Sequence, residues 1–458
     1  MSYGTEFKQV TAGPDSSGPS TGEPEIERLP TKPRHFACFD GLRAIAAVSV
    51  LLLHTAWASG FTLRSSFGTY TSRLEIGVSV FFLISGFLLY RPFAVSHLSG
   101  RTAPNTRRFW ERRLLRIVPA YWLALTVLTY GFHAISLGPG WQGVVIHYFF
   151  LQIYFPTQAF FGITQAWSLC TEMSFYFFLP LYAAVVAFRR RPKTNQMRRE
   201  LIGLGTLVAI SVGFRWWALN IPVTKVVNGR LVGVCYPNCA THAPLSTLLS
   251  SWLPSYLDLF AFGMLLAVIS VWLAERDSEP TWLWSSFMPW LSWCGAAAAF
   301  FWVSHIGVPP TIIYLVSPLT NIARQGLYGA FAFLLLMPAV FGPQDQSLVR
   351  RFLRSWPVAS IGVISYGIYL WHLNLIHEAM KWTGWKPGMV PFWLLALTTL
   401  GISVAFASAS YFGLERPLLQ FKNRIRWWDR GSRGVRRTPE VETDGLMPQE
   451  PTSAEPAG

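Results

Sequence analysis

An all-α, polytopic membrane bundle of about ten transmembrane helices is the fold class that three observations predict. Apolar residues make up 52% of the 458 positions and charged residues only 13%, where soluble domains carry roughly one charged residue in four. Mean hydropathy is +0.33. The apolar residues also gather into runs long enough to cross a hydrocarbon core, about 17–25 residues each.

Ten such runs occupy 38–59, 75–95, 114–134, 164–188, 201–219, 248–273, 281–303, 326–341, 357–379 and 391–413. The stretch 143–156 is aromatic but too short to cross, and is expected to lie at the interface or re-enter. An even number of crossings puts both termini on one side. With those termini cytoplasmic, inner segments hold 29 Lys and Arg against 7 in outer loops, which is a positive-inside distribution. The net charge of +15 is therefore expected to set topology and attract anionic lipid, and a nucleic-acid partner is not expected.

Residues 1–37 are rich in Pro, Gly, Ser and Thr without an apolar core of signal-peptide type. They are expected to form a disordered cytoplasmic tail, the first span itself directing insertion. Residues 38–415 form the membrane domain. The segment 416–430 is basic and amphipathic, as for a helix lying on the inner leaflet, and 431–458 is a second disordered tail. Cys38, Cys170 and Cys294 fall in or beside spans as small packing residues. Cys235 and Cys239 share the longest polar loop, where they either close a small disulfide or stay free. No metal site is expected.

The first run carries Arg43 near its start and His54 near its end. Eleven helical residues place both on one face, about 16 Å apart. Alone, Arg43 reads as a snorkelling anchor and His54 as an interhelical hydrogen-bonder. Ionisable groups in spans ordinarily face a polar interior, so the two together suggest a polar path into the bilayer.

Arg113 and Arg116 are three residues apart as the third span begins, hence neighbours on one helix face. Two forked guanidiniums side by side suit a phosphate, although arginines also flank spans as anchors. Glu172 in the fourth span and Asp258 in the sixth each need a partner or a proton. The ninth span contributes Tyr366 and His372. A histidine paired with a buried acid can deprotonate a hydroxyl that attacks a thioester, or accept the acyl group itself. The residues leave both routes open. Ser85-Gly86, mid-helix in the second span, is expected to mark a close helix contact. There is no Gly-x-Ser-x-Gly elbow, Walker loop or His-Glu-x-x-His in the chain.

Six pieces in order resemble the acyltransferase type 3 family of integral membrane enzymes. They are Asp40-Gly-Leu-Arg43 with His54 beyond it; Gly77-Val-Ser-Val-Phe-Phe-Leu-Ile-Ser-Gly-Phe-Leu; Arg113-Leu-Leu-Arg116-Ile-Val-Pro; Trp167-Ser-Leu-Cys-Thr-Glu172-Met-Ser-Phe-Tyr; Gly263-Met-Leu-Leu-Ala; and Ser365-Tyr-Gly-Ile-Tyr-Leu-Trp-His372. The resemblance spans about residues 36–418.

It implies an O-acyltransferase of the bacterial plasma membrane. Acyl-coenzyme A, often acetyl-coenzyme A, would be donor at the inner face, with no tightly bound cofactor. The acceptor would be a hydroxyl of a sugar, glycolipid or macrolide-like molecule. Arg43 and His54 are regarded as essential in that family, and the pair matching Arg113 and Arg116 is implicated in holding the coenzyme. On this reading His54 is base or acyl carrier, Glu172 orients it or shares its proton, and Arg43 joins the phosphate clamp. Asp258, His372 and Tyr366 are secondary candidates. Relatives often add an extracytoplasmic hydrolase-like domain. Without one, the spans are expected to finish the transfer or pass the acyl group to a separate extracytoplasmic partner. The rival class is a proton-coupled transporter or flippase, in which His and Glu form a relay. It would favour paired inverted halves and would leave the arginine clamp unexplained.

Overall fold

The computed structural model describes residues 36–159, 161–188, 193–222, 224–227, 230–233, 244–276, 280–307, 317–342 and 347–425. Residues 1–35 and 426–458 lie outside the described residues, as do Cys235 and Cys239. All but the last two positions of the expected 1–37 tail and the whole of the 431–458 tail are therefore not described.

The long helices are α1 (Phe39–Ala58), α2 (Ile76–Ser99), α3 (Thr106–Thr126), α4 (Gly140–Tyr148), α5 (Trp167–Ala187), α6 (Lys193–Leu219), α7 (Leu257–Ala274), α8 (Met288–His305), α9 (Pro318–Val340), α10 (Trp356–Val363), α11 (Ser365–Thr383), α12 (Phe392–Ser410) and α13 (Arg416–Ile425). Between α6 and α7 two four-residue strands, β1 (Thr224–Val227) and β2 (Arg230–Gly233), pair antiparallel with Thr224 opposite Gly233. Among the described residues, eight helical segments are long and apolar enough to cross a membrane, and the bent pair α10 and α11 makes a ninth if it counts as one span. The eighteen-residue α8 carries no Asp, Glu, Lys or Arg but is not among these segments. With α8 included, each of the ten apolar runs is mostly helical, 357–379 as the two helices α10 and α11. The short aromatic stretch forms α4, only nine residues long, and does not cross.

Sequence reading treats 357–379 as one straight helix; the structure breaks it by 72° between Val363 and Ser365. No proline stands at the break. Gly362 lies against the start of α1, where an added Cβ would sit 1.9 Å from the carbonyl oxygen of Asp40. Thus α10 docks on α1 while α11 runs on beside α12, and the chain bends to satisfy both. This exposes a fresh helix N-terminus at Ser365.

In a bilayer, apolar burial does little to drive helices together, so close backbone packing matters more. The α2–α7 contact shows it. A Cβ on Gly86 would sit 2.3 Å from the carbonyl oxygen of Phe260, and one on Gly263 would sit 2.1 Å from that of Leu83. The expected close contact at Gly86 is therefore present. Outward faces carry exposed apolar side chains, among them Leu181 and Val185 on α5 and Ile202, Trp216 and Trp217 on α6, as lipid contact requires. At the end of α9, fully buried Arg350 donates to the carbonyls of Pro338 (2.9 Å) and Phe341 (2.8 Å). It satisfies oxygens that the helix end leaves without partners.

Candidate active site

Arg43 enters the site from the second turn of α1 and is held by Asp40, one turn earlier, through a 2.7 Å ion pair. Helix α3 opens on Asn105, whose side chain accepts from the Arg108 amide at 3.0 Å, a capping geometry that fixes where the helix begins. That start sets the face on which Arg113 and Arg116 emerge. Trp110 Nε1 then donates to the Tyr176 carbonyl (3.0 Å), and the Tyr366 hydroxyl to the Ile117 carbonyl (2.9 Å). These bonds fasten α3 to α5 and α11 on either side of the arginine pair.

Together these helices line a partly open cavity of about 90 Å³. Arg43, Arg113, Arg116 and Glu172 line it, with Ser85, Ser168, Tyr176, Ser365, Tyr366 and Tyr369. The three guanidiniums interact electrostatically with one another, and Arg113 also with Glu172. Arg113 and Arg116 make no hydrogen bond or ion pair with another described residue, and their nitrogens are not sealed from the cavity. The first residues of α11 complete the wall, and a helix N-terminus adds partial positive charge. Three cations against one lining carboxylate make this a site for an anion.

Glu172 is already engaged. Its Oε1 accepts from the Ser85 hydroxyl (2.5 Å) and from the Tyr176 hydroxyl (2.7 Å). The expected partnership of Glu172 with His54 is therefore replaced. His54 Nδ1 lies 3.0 Å from His372 Nε2, the two rings 5.0 Å apart. The reason is lateral. Helix α5 packs on α2, α3 and α6, while α1 packs on α2, α10, α11 and α12. Depth in the bilayer is legible from residue counting, but the side of the bundle is not.

His54 is half-buried and His372 fully buried. Neither lines the cavity, whose wall on this side is formed by Phe81 and Tyr369. Those two rings meet edge to face at 5.8 Å, and Tyr369 is 5.9 Å from the His372 ring. The histidine pair is thus one residue beyond the wall. Asp258 lies elsewhere: its Oδ1 accepts from Ser211 (3.1 Å), Gln325 (3.2 Å) and the Leu259 amide (2.9 Å). That network ties α7 to α6 and α9.

Sequence reading missed Ser85 as a site residue, together with Tyr176, Ser168 and Tyr369. Part of the signal was present, since Ser168, Glu172 and Tyr176 recur every four residues and so share one helix face. Ser365, Tyr369 and His372 follow the same rule on α11.

A helical bundle of this hydropathy, gathering three arginines and a glutamate round one interior chamber, is a multi-pass membrane protein with a polar site. The chain belongs to the acyltransferase domain family, which matches residues 36–410. It is 27% identical over 430 residues to the acyltransferase MdmB of Streptomyces mycarofaciens, covering 88% of this chain and 95% of that one. It is 24% identical to the O-acetyltransferase OatA of Staphylococcus aureus, covering 84% of this chain but only 57% of OatA. Nodulation protein 10 of Rhizobium leguminosarum bv. viciae is likewise 24% identical, with 84% and 94% covered. No solved structure matches the chain.

Proposed function

We propose that this protein is an O-acyltransferase of the bacterial plasma membrane that moves an acyl group, typically acetyl, from cytoplasmic acyl-coenzyme A to a hydroxyl. The observation that carries the reading is the pair of unengaged guanidiniums, Arg113 and Arg116, facing a cavity that also holds Arg43. Both termini are cytoplasmic in this reading, which places the arginine end at the inner leaflet, where positive charge accumulates. Planar forks of donors bind phosphate oxygens two at a time, so the coenzyme's phosphates rest on the arginines and its pantetheine arm points into the bundle.

The reacting end must pass Phe81 and Tyr369 to reach the histidines. There an unprotonated ring nitrogen of His54 takes the proton of the acceptor hydroxyl as its oxygen attacks the thioester carbonyl. The carbon–sulfur bond breaks, the coenzyme leaves as a thiol once its sulfur is protonated, and the ester remains on the acceptor. Glu172 balances the arginine charge and holds Ser85 and Tyr176 in the wall. The acceptor class in this reading is a cell-envelope carbohydrate, glycolipid or macrolide-like molecule.

The test is transfer from radiolabelled acetyl-coenzyme A by purified protein in detergent supplied with lipid-linked and free carbohydrate acceptors. Label should move to an acceptor in wild type and stay on the coenzyme in His54→Ala, with coenzyme binding retained. Transfer that survives His54→Ala removes the histidine from the mechanism; failure of wild type to bind coenzyme removes the reading.

A further inference from the structure

Three contacts around the histidine pair involve carbonyl oxygens, and a carbonyl can only accept. His54 Nδ1 is 2.9 Å from the Val50 carbonyl, so it carries a proton. His372 Nδ1 is 2.8 Å from the Tyr369 carbonyl and 3.1 Å from that of Ile368, so it is protonated too. A neutral imidazole holds one proton, which leaves His372 Nε2 a bare acceptor facing His54 Nδ1 at 3.0 Å. The remaining nitrogen, His54 Nε2, is then the basic one. It makes no hydrogen bond to any described residue.

We infer that His372 is a positioning residue that fixes His54 in the Nδ1–H tautomer and so presents Nε2, its lone pair free, to the acceptor hydroxyl. This rests on the reading of His54 as proton acceptor given above. The logic is that of any catalytic histidine whose second nitrogen is tied down: the tie selects the tautomer and aims the ring. Here a second histidine takes the role more often held by a carboxylate. When Nε2 gains its proton, His372 stabilises the resulting cation by accepting from Nδ1 without bringing in a negative charge. Full burial of His372 and its anchorage to the α11 backbone keep its Nε2 in one place. Tyr369 supplies one of those anchors and also lines the coenzyme cavity, so the same turn of α11 serves both the cavity and the histidine pair.

His372→Gln and His372→Asn separate positioning from packing. The longer amide can place an oxygen near the position of Nε2 and still donate to a helix carbonyl; the shorter one ends a bond too early. Two readouts apply to purified protein labelled with 15N-histidine, with His54→Ala used to assign the His54 resonances. The nitrogen spectrum should show His54 as Nδ1–H in wild type and His372→Gln, and as a tautomer mixture in His372→Asn. Turnover should fall roughly 100-fold in His372→Asn, the scale of general-base catalysis, with the KM for acetyl-coenzyme A unchanged and most of the loss restored in His372→Gln. An Nε2–H tautomer in wild type overturns the inference. So does His372→Asn with wild-type tautomer and turnover, which would mean that the Val50 carbonyl suffices. If wild type transfers no acyl group, the acyltransferase reading fails, while the spectrum still decides whether His372 sets the tautomer.

Discussion

The Ser85 hydroxyl donates to Glu172 Oε1 at 2.5 Å, joining α2 to α5 across the wall of the arginine cavity. Tyr176 donates to the same oxygen. Two donors on one carboxylate oxygen, with Arg113 in electrostatic reach, make Glu172 the joint of the wall as well as its only lining anion.

Changing that joint separates charge from shape. Glu172→Gln keeps an acceptor for Ser85 and Tyr176 but removes the carboxylate charge that faces Arg113, while Arg43 keeps Asp40. Coenzyme should bind at least as tightly as in wild type, while transfer slows. Glu172→Leu strands the buried Tyr176 hydroxyl, a loss of about 1–3 kcal/mol for an unsatisfied polar group. Thermal unfolding in detergent should therefore show Leu clearly below Gln. Equal stabilities would mean that the two hydroxyl bonds contribute nothing.

Arg113 and Arg116 should be separable from ordinary positive-inside anchors by exchange for lysine. Lysine preserves charge at the inner leaflet but offers a point charge in place of a planar fork. Replacing either arginine with Ala should weaken acetyl-coenzyme A binding by about 1.5–3 kcal/mol, the scale of a charged hydrogen bond. Lys should recover only part of this. Calorimetric titration of purified variants measures it. Full recovery by Lys would reduce the pair to a field of positive charge.

The wall formed by Phe81 and Tyr369 predicts a block that spares binding. Phe81→Trp adds bulk where the reacting end of the donor must pass and leaves all three arginines in place. Coenzyme affinity should stay within error of wild type while transfer drops by roughly 100-fold, the penalty of an ångström-scale misplacement. A mutant that transfers normally would show that the donor reaches His54 by another route.

How much of this was readable beforehand follows from the physics of each signal. Spans depend on composition averaged over some twenty residues, so the apolar runs became helices, 357–379 as a bent pair. The facing of Arg43 and His54 depends on helical periodicity alone. The partner of His54 does not: whether α5 or α11 lies beside α1 is decided by packing between helices far apart in sequence, and Glu172 was the wrong neighbour. Ser85 was hidden by Gly86. The pair reads as a helix contact, and Gly86 makes that contact, while Ser85 points the other way into the cavity. The bend before Ser365 left no proline to announce it, since it arises from Gly362 meeting Asp40.

The α2–α7 contact offers a final test, in which two glycine substitutions of the same kind should have opposite effects. Gly263→Ala would bring a methyl group within 2.1 Å of the Leu83 carbonyl oxygen, which is backbone and cannot swing away. The helices must separate, pulling Gly86 from Phe260 and moving Ser85 relative to Glu172. Overpacking of this sort costs about 1–3 kcal/mol, and here it should also lower transfer. Gly213→Ala, on the exposed side of α6, has nothing within 4 Å of its added Cβ. It removes only the helix penalty of glycine, up to about 1 kcal/mol, and should raise the unfolding temperature slightly. Thermal scans of both variants in the same detergent, followed by the transfer assay, give the comparison. If Gly263→Ala is as stable and active as wild type, the backbone contact between α2 and α7 does not hold the cavity in shape.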